Sequence, residues 1–156
     1  MAIVKAMLRL ARRSKTVEVI ECFGPYGAVA YWTACERQLD YQARWRAVLD
    51  TQHLDVVLSP AAALPAVKHG ATVEVGVMGA YTCLYNVLGW PAGVVPVTRV
   101  REDEETSTQR TRDVADVTAV VTERSSKNLP IGVQVAARPW REDLVLAALS
   151  ALTVPR

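Results

Sequence analysis

Cysteine is scarce and unpatterned in this chain: Cys22, Cys35 and Cys83 are three in 156 residues and form no C-x-x-C pair. An odd, widely spaced set excludes a disulfide framework and a thiolate zinc site, and the apolar neighbours of all three predict buried thiols in a reducing compartment. No apolar run approaches the eighteen or so residues that a membrane span needs, and no small-residue cleavage site follows a hydrophobic stretch at the N-terminus. The expectation is an intracellular protein, cytoplasmic or peripheral to membranes. Histidine is limited to His53 and His69. A Ser-His-Asp set drawn from Ser59, either histidine and Asp55 is not specified by spacing alone, and both histidines read as surface or loop residues. No residue cluster calls for a metal or another cofactor. A nucleic-acid surface is also excluded, because Lys and Arg are not spread along a face that carries stacking aromatics.

What the chain does have is apolar content, 51% of residues, enough to build a core. Its net charge of +2 is unevenly placed: Lys5, Arg9, Arg12, Arg13 and Lys15 occupy the first fifteen residues without an acid, so the remainder is net negative. Over Ala2 to Arg13 these cations alternate with Ile3, Val4, Met7, Leu8 and Leu10, which predicts a helix apolar on one side and cationic at its edges. Two uses fit it equally: a face laid on an anionic membrane, or a core-facing helix with a solvated basic rim. A targeting helix is a weaker third use.

After the turn signal Phe23-Gly24-Pro25, residues Tyr26 to Thr51 space Trp32, Cys35, Leu39, Trp45, Val48 and Leu49 along one stripe of a long amphipathic helix, with the tryptophans expected in the core. Asp55–Pro60, Ala92–Thr98 and Ile131–Ala137 are short β-branched runs without polar alternation, the pattern of strands covered on both faces. Between them, Glu74 to Leu88 reads as a helix stopped by Gly89, Asp113 to Glu123 as a helix within a charged surface excursion over Arg99 to Asn128, and Glu142 to Leu152 as an apolar helix with acids in its first turn. Strands alternating with helices place the chain in the α/β class, a mixed twisted sheet with helices on both faces. Three covered strands with few helices leave sheet edges to protect, as in one half of a larger sheet.

Tyr81-Thr82-Cys83-Leu84-Tyr85-Asn86, followed by Gly89-Trp90-Pro91-Ala92-Gly93-Val94-Val95-Pro96-Val97-Thr98, resembles a block of the amidase signature family in its fatty-acid amide hydrolase form. Leu129-Pro130-Ile131-Gly132-Val133-Gln134-Val135 with Arg138-Pro139-Trp140 is similar to the same family's closing strand and helix, and Tyr41–Trp45 and Leu54–Pro60 also fit it. The resemblance covers nearly the whole of residues 1–156 and implies the C-terminal portion of a single amidase domain. The bacterial amidase and transamidation branches fit the Tyr-Asn and Pro-Ala-Gly-Val-Val-Pro-Val-Thr forms less well.

That resemblance implies a serine hydrolase acting on lipid amides through an acyl-serine, with a Ser-Ser-Lys triad. All three triad residues lie N-terminal to the matched part of the family's sequence, the two serines in a Gly-rich signature that does not occur here, so this chain is expected to hold no catalytic residue and to be inactive alone. Ser125-Ser126-Lys127 has the right residue types but in consecutive positions, and reads as a solvated turn. The same resemblance sets Gly76, Gly79 and Cys83 facing an acyl-chain channel, although glycines at i,i+3 more commonly serve close packing. It also implies peripheral membrane contact through Ile3, Val4, Met7 and Leu8, a lipid amide as substrate only when the rest of the enzyme is present, and a homodimer. Asn86 is expected to tie the helix end to neighbouring loops, and Gln134 to have buried hydrogen-bond partners. A different class of function is a stand-alone non-catalytic module that binds lipid or a partner chain.

Overall fold

The three apolar runs become three strands, β1 (Val56–Pro60), β2 (Ala92–Arg99) and β3 (Pro130–Ala137). The computed structural model describes residues 2–105 and 113–153, so residues 106–112 of the expected excursion lie outside the described residues. The strands form one sheet in the order β1-β3-β2. β1 runs antiparallel to β3, with Val56 opposite Ala137, Leu58 opposite Val135 and Ser59 opposite Gln134. Main-chain bonds from Ala137 N–H to the Pro91 carbonyl (3.2 Å) and from Val100 N–H to the Leu129 carbonyl (3.0 Å) show β2 antiparallel to β3 as well.

The described chain divides into two compact units. One comprises residues 25–62, 80–97 and 132–153 and contains most of the sheet, with helices α3 (Ala28–Thr51), α4 (Ala80–Leu88) and α6 (Glu142–Leu152). Successive residues of a strand face opposite ways, and here each side meets its own helices. Ala136 of β3 and Val57 of β1 pack with Trp45 and Leu49 of α3, Leu84, Tyr85 and Leu88 of α4, and Trp90. Val135, Ala137 and Val56 pack on the other side with Leu144, Val145, Ala148, Leu149 and Leu152 of α6. The central strand β3 is therefore covered on both faces, as expected of an unalternating apolar run, whereas β1 and β2 are only partly covered.

Coverage is greatest on the central strand. Gln134 to Ala137 are all buried, whereas Leu58 of β1 and Val94 and Val97 of β2 are exposed. α3 is likewise only half used. Leu49 is buried and Trp45 partly so, but Val29, Tyr31, Trp32 (64% exposed) and Leu39 face solvent, contrary to the expected core stripe. The reason is length: 24 residues make a helix of about 36 Å, longer than strands of five to eight residues, which span roughly 17 to 27 Å.

α4 ends as the sequence predicts. Gly89 adopts φ 65°, its N–H donates to the Asn86 carbonyl (3.2 Å), and the Trp90 N–H donates to the Tyr85 carbonyl (3.1 Å), the two bonds of a Schellman closure. A remaining helix-end carbonyl, that of Val87, accepts from the side-chain amides of Gln38 (2.8 Å) and Gln42 (2.9 Å) of α3. The start of α4 differs from expectation. In place of one helix over Glu74 to Leu88, a 3-10 turn occupies Gly76–Gly79 and the α-helix begins at Ala80. Two glycines within one turn carry the largest backbone entropy cost of any residue in an α-helix, which favours the shorter turn.

The other unit comprises the described parts of residues 1–24, 63–79 and 98–131. Its helices are α1 (Ala2–Leu10), α2 (Ser14–Glu21), to which the sequence pattern assigns no element, and α5 (Val114–Glu123). Arg12 at φ 56° breaks the chain between α1 and α2, and Glu21 of α2 pairs back to Lys5 (3.5 Å) and Arg9 (3.1 Å) of α1. Val17, Val75, Val100 and Ala115 are buried within this unit.

A methyl added at Gly93 would lie 2.5 Å from Leu149 Cδ1, so the Leu149 side chain must shift to admit it, whereas one added at Gly76 meets nothing within 4 Å. Gly93→Ala is expected to lower stability by about 1–3 kcal/mol through overpacking, with Gly76→Ala within about 0.5 kcal/mol of the parent. Urea unfolding of the two variants checks the pair.

Candidate functional site

The residues expected along an acyl-chain path are Gly76, Gly79 and Cys83. Gly76 and Gly79 lie in the 3-10 turn, Cys83 lies on α4, and the turn and the helix belong to different units. Gly76 is exposed with open space around its Cα, so close packing does not explain that glycine. Gly79 is half-buried and Cys83 is exposed. The expectation of buried thiols is corrected throughout: Cys22 and Cys83 are exposed and Cys35 is half-buried, and none is in a disulfide. Apolar sequence neighbours did not bury them because on a helix the adjacent residues point to other faces.

α4 turns a polar group toward the sheet. Tyr85 is buried, and its hydroxyl donates to Ser59 Oγ on β1 at 3.0 Å. Directly across the ladder from Ser59 stands the buried Gln134. The expectation that Gln134 is fully partnered is not met, since its Oε1 accepts no hydrogen bond among the described residues. Ser59 is engaged by Tyr85 instead, and the neighbours of Gln134 along β3 are valines. Asn86 is exposed, and its main-chain carbonyl is what closes the end of α4.

The other unit holds a network of charged groups that motif reading missed. Asp113, the N-cap of α5, accepts from the Ala115 N–H (2.8 Å), the Ser14 hydroxyl (2.6 Å) and the Lys15 N–H (3.3 Å). Glu74 accepts from Arg13 (2.9 Å) and from the Thr118 hydroxyl (2.8 Å), and Lys15 pairs with Asp116. Burial by itself pushes the Asp113 carboxyl up, but the hydrogen bonds from Ser14, Ala115 and Lys15 outweigh it and hold the group below the ordinary aspartate range. The Thr118 hydroxyl, then the Arg13 guanidinium, hold Glu74 low in the same way. The signal available in sequence was Asp113 ahead of an apolar run, an N-cap pattern. Its partners on α2 are some hundred residues distant and carry no local signature.

The residue types of a serine hydrolase occur nearby in a different arrangement. Ser125 and Ser126 donate their hydroxyls to the carbonyls of Val121 (2.9 Å) and Glu123 (2.6 Å) at the end of α5, and the Lys127 ammonium pairs with Glu102 at 2.8 Å. Ser126 is buried, not solvated as the sequence implied, because its hydroxyl turns back onto the helix end. His53 and Asp55 are exposed, and Ser59 faces Tyr85.

Comparison with known proteins gives these elements their context. The family model described as Amidase matches residues 11–146. The chain belongs to the amidase family. It is 36% identical over 117 residues to Fatty acid amide hydrolase 1 of Caenorhabditis elegans, an alignment that covers 73% of the chain and 20% of that relative. It is 39% identical over 108 residues to Fatty-acid amide hydrolase 1 of Sus scrofa, covering 67% of the chain and 18% of the relative. This amidase-family chain thus spans about a fifth of the length of these relatives. The family match includes all three strands and helices α2 to α5, so the two-faced sheet and the α2–α5 network both lie inside it.

Because Asp113 and Glu74 are held low in the folded chain, their contribution to stability is complete above the ordinary carboxylate range, about pH 4. It begins to fail below that range and is lost as pH drops through the folded-state values. Urea midpoints measured from pH 7 to pH 3 are expected to fall with acid in the parent. Asp113→Asn and Glu74→Gln should lower the midpoint at pH 7 and flatten this fall, and an unchanged pH profile in both variants contradicts the assignment.

Proposed function

We propose that this chain is part of a lipid-amide hydrolase of the amidase family, one that cleaves a carbon–nitrogen bond through an acyl-serine, and that the nucleophile and its lysine base come from a portion of the enzyme other than this one. The observation that carries the reading is identity of 36–39% to two fatty acid amide hydrolases over two thirds or more of the chain. The local arrangement supports the second half of it, since the clustered Ser125, Ser126 and Lys127 are held by helix-end carbonyls and by Glu102.

In this reading Gly76 and Gly79 in one unit, and Cys83 in the other, are each candidates to contact an acyl chain. Glycine at 76 leaves open space, and the exposed Cys83 presents a small, weakly polar surface. α1 supplies contact with a membrane surface. Ile3, Val4, Met7 and Leu10 are exposed, Leu8 is half-buried, and Lys5 and Arg9 flank them, which suits shallow insertion among anionic headgroups. No described helix is long and apolar enough to cross a membrane. A second reading, a stand-alone module that pairs with another chain, draws on the exposed Val29, Trp32 and Leu39 of α3.

Two measurements test the proposal. The purified 156-residue chain is expected to take no fluorophosphonate label on serine and to hydrolyse no long-chain amide above a heat-denatured control, and labelling with turnover contradicts the assignment of the nucleophile elsewhere. The endogenous protein, captured by an antibody to residues 99–128, is expected to be several times heavier than 17.1 kDa, to label with fluorophosphonate and to hydrolyse long-chain amides. A native species of 17.1 kDa with neither property replaces the enzyme reading with the partner-binding one.

A further inference from the structure

The α2–α5 network has a consequence independent of amide hydrolysis. Ser14 is the first residue of α2, is exposed, and follows the break at Arg12. Arg9, Arg12 and Arg13 precede it and Lys15 follows it, a density of cations that arginine-directed serine/threonine kinases bind through acidic subsites. Its hydroxyl is also the donor that ties α2 to the buried Asp113 at the head of α5.

We propose that Ser14 is a phosphorylation site and that the phosphate releases α2 from the head of α5. The γ-phosphoryl group of ATP passes to Ser14 Oγ: the oxygen–phosphorus bond to the departing ADP breaks, the bond to Oγ forms, and the hydroxyl proton leaves to the kinase's base. The product removes the one side-chain donor that α2 offers Asp113 and sets about −1.5 to −2 charges where that donor stood. Asp113, buried with its remaining main-chain donors, then faces an anion, and Asp116 lies three residues on along the same helix. The phosphate competes for Arg13, now on Glu74, and for Lys15, now on Asp116. Repulsion and competition act in one direction, because every tie from residues 13–15 to Glu74, Asp113 and Asp116 uses a donor on the α2 side and a carboxylate opposite. The α2 N-terminus itself welcomes a phosphate, so the helix persists while its ties to Glu74, Asp113 and Asp116 are lost.

The test treats the full chain with MgATP and the catalytic domain of an arginine-directed serine/threonine kinase, maps phosphate by tandem mass spectrometry, and follows amide hydrogen exchange. One phosphate on Ser14 is expected, with exchange at Lys15, Val114 and Ala115 accelerated by about tenfold or more, the loss of at least one hydrogen bond to a charged group, and restored by phosphatase. In Asp113→Asn the acceleration should shrink to less than about threefold, since the principal repulsion is gone. Should that variant not fold, the phosphatase reversal carries the test by itself. Phosphate on Thr16 in place of Ser14, no phosphate on either the chain or a peptide of residues 9–18, or a phosphorylated Ser14 with unchanged exchange each overturns the proposal.

Discussion

The pairing of β3 with β1 and β2 is the constraint from which the sheet-bearing unit follows. A central strand must satisfy its main chain on both edges and bury side chains on both faces, and β3 does so with Val135 and Ala137 toward α6 and Ala136 toward α3 and α4. Each neighbour is then fixed by what it must cover. α6 is apolar along most of its length because its inner face lies on the sheet, with Val145 and Leu149 packed beside Val135, Ala137 and Val56 and against Gly93 of β2. On the outer strands Leu58, Val94 and Val97 are exposed among the described residues.

The other unit is fastened by polar groups to a greater degree. Its buried apolar residues are few and mostly valine, and the long-range ties are carboxylates that accept from hydroxyls, main-chain N–H groups and cations. Such bonds need tight geometry and full partnering to stabilise, and Asp113 has both. Polar fastening is also reversible by charge.

How far the sequence predicted these arrangements varies with the range of the interaction involved. The end of α4 at Gly89 and the span of α5 were legible, because Schellman and N-cap chemistry is written within a few residues. The helix assigned over Glu74 to Leu88 came from apolar periodicity that gave too little weight to two glycines in one turn. The expected stripe from Trp32 to Leu49 gave the helix but not its buried face: Leu49 is buried and Cys35 and Trp45 half-buried, while Trp32, Leu39 and Val48 are exposed. The candidate residues Gly76, Gly79 and Cys83 were placed by likeness to a family, and their surroundings were not readable from spacing.

The sequence by itself determined the class of the fold, the three strands, most helix ends and membership of the amidase family, because each rests on local patterns or on residue identity along the chain. Tertiary structure decided which patterned residues are covered, that the cysteines stand outside the core, that Ser59 meets Tyr85, and that Ser14 meets Asp113 across 99 positions of sequence. The physical reason is the same in each case. A hydrogen bond or a packed contact requires two groups within a few ångströms, and only the folded path of the chain sets that distance.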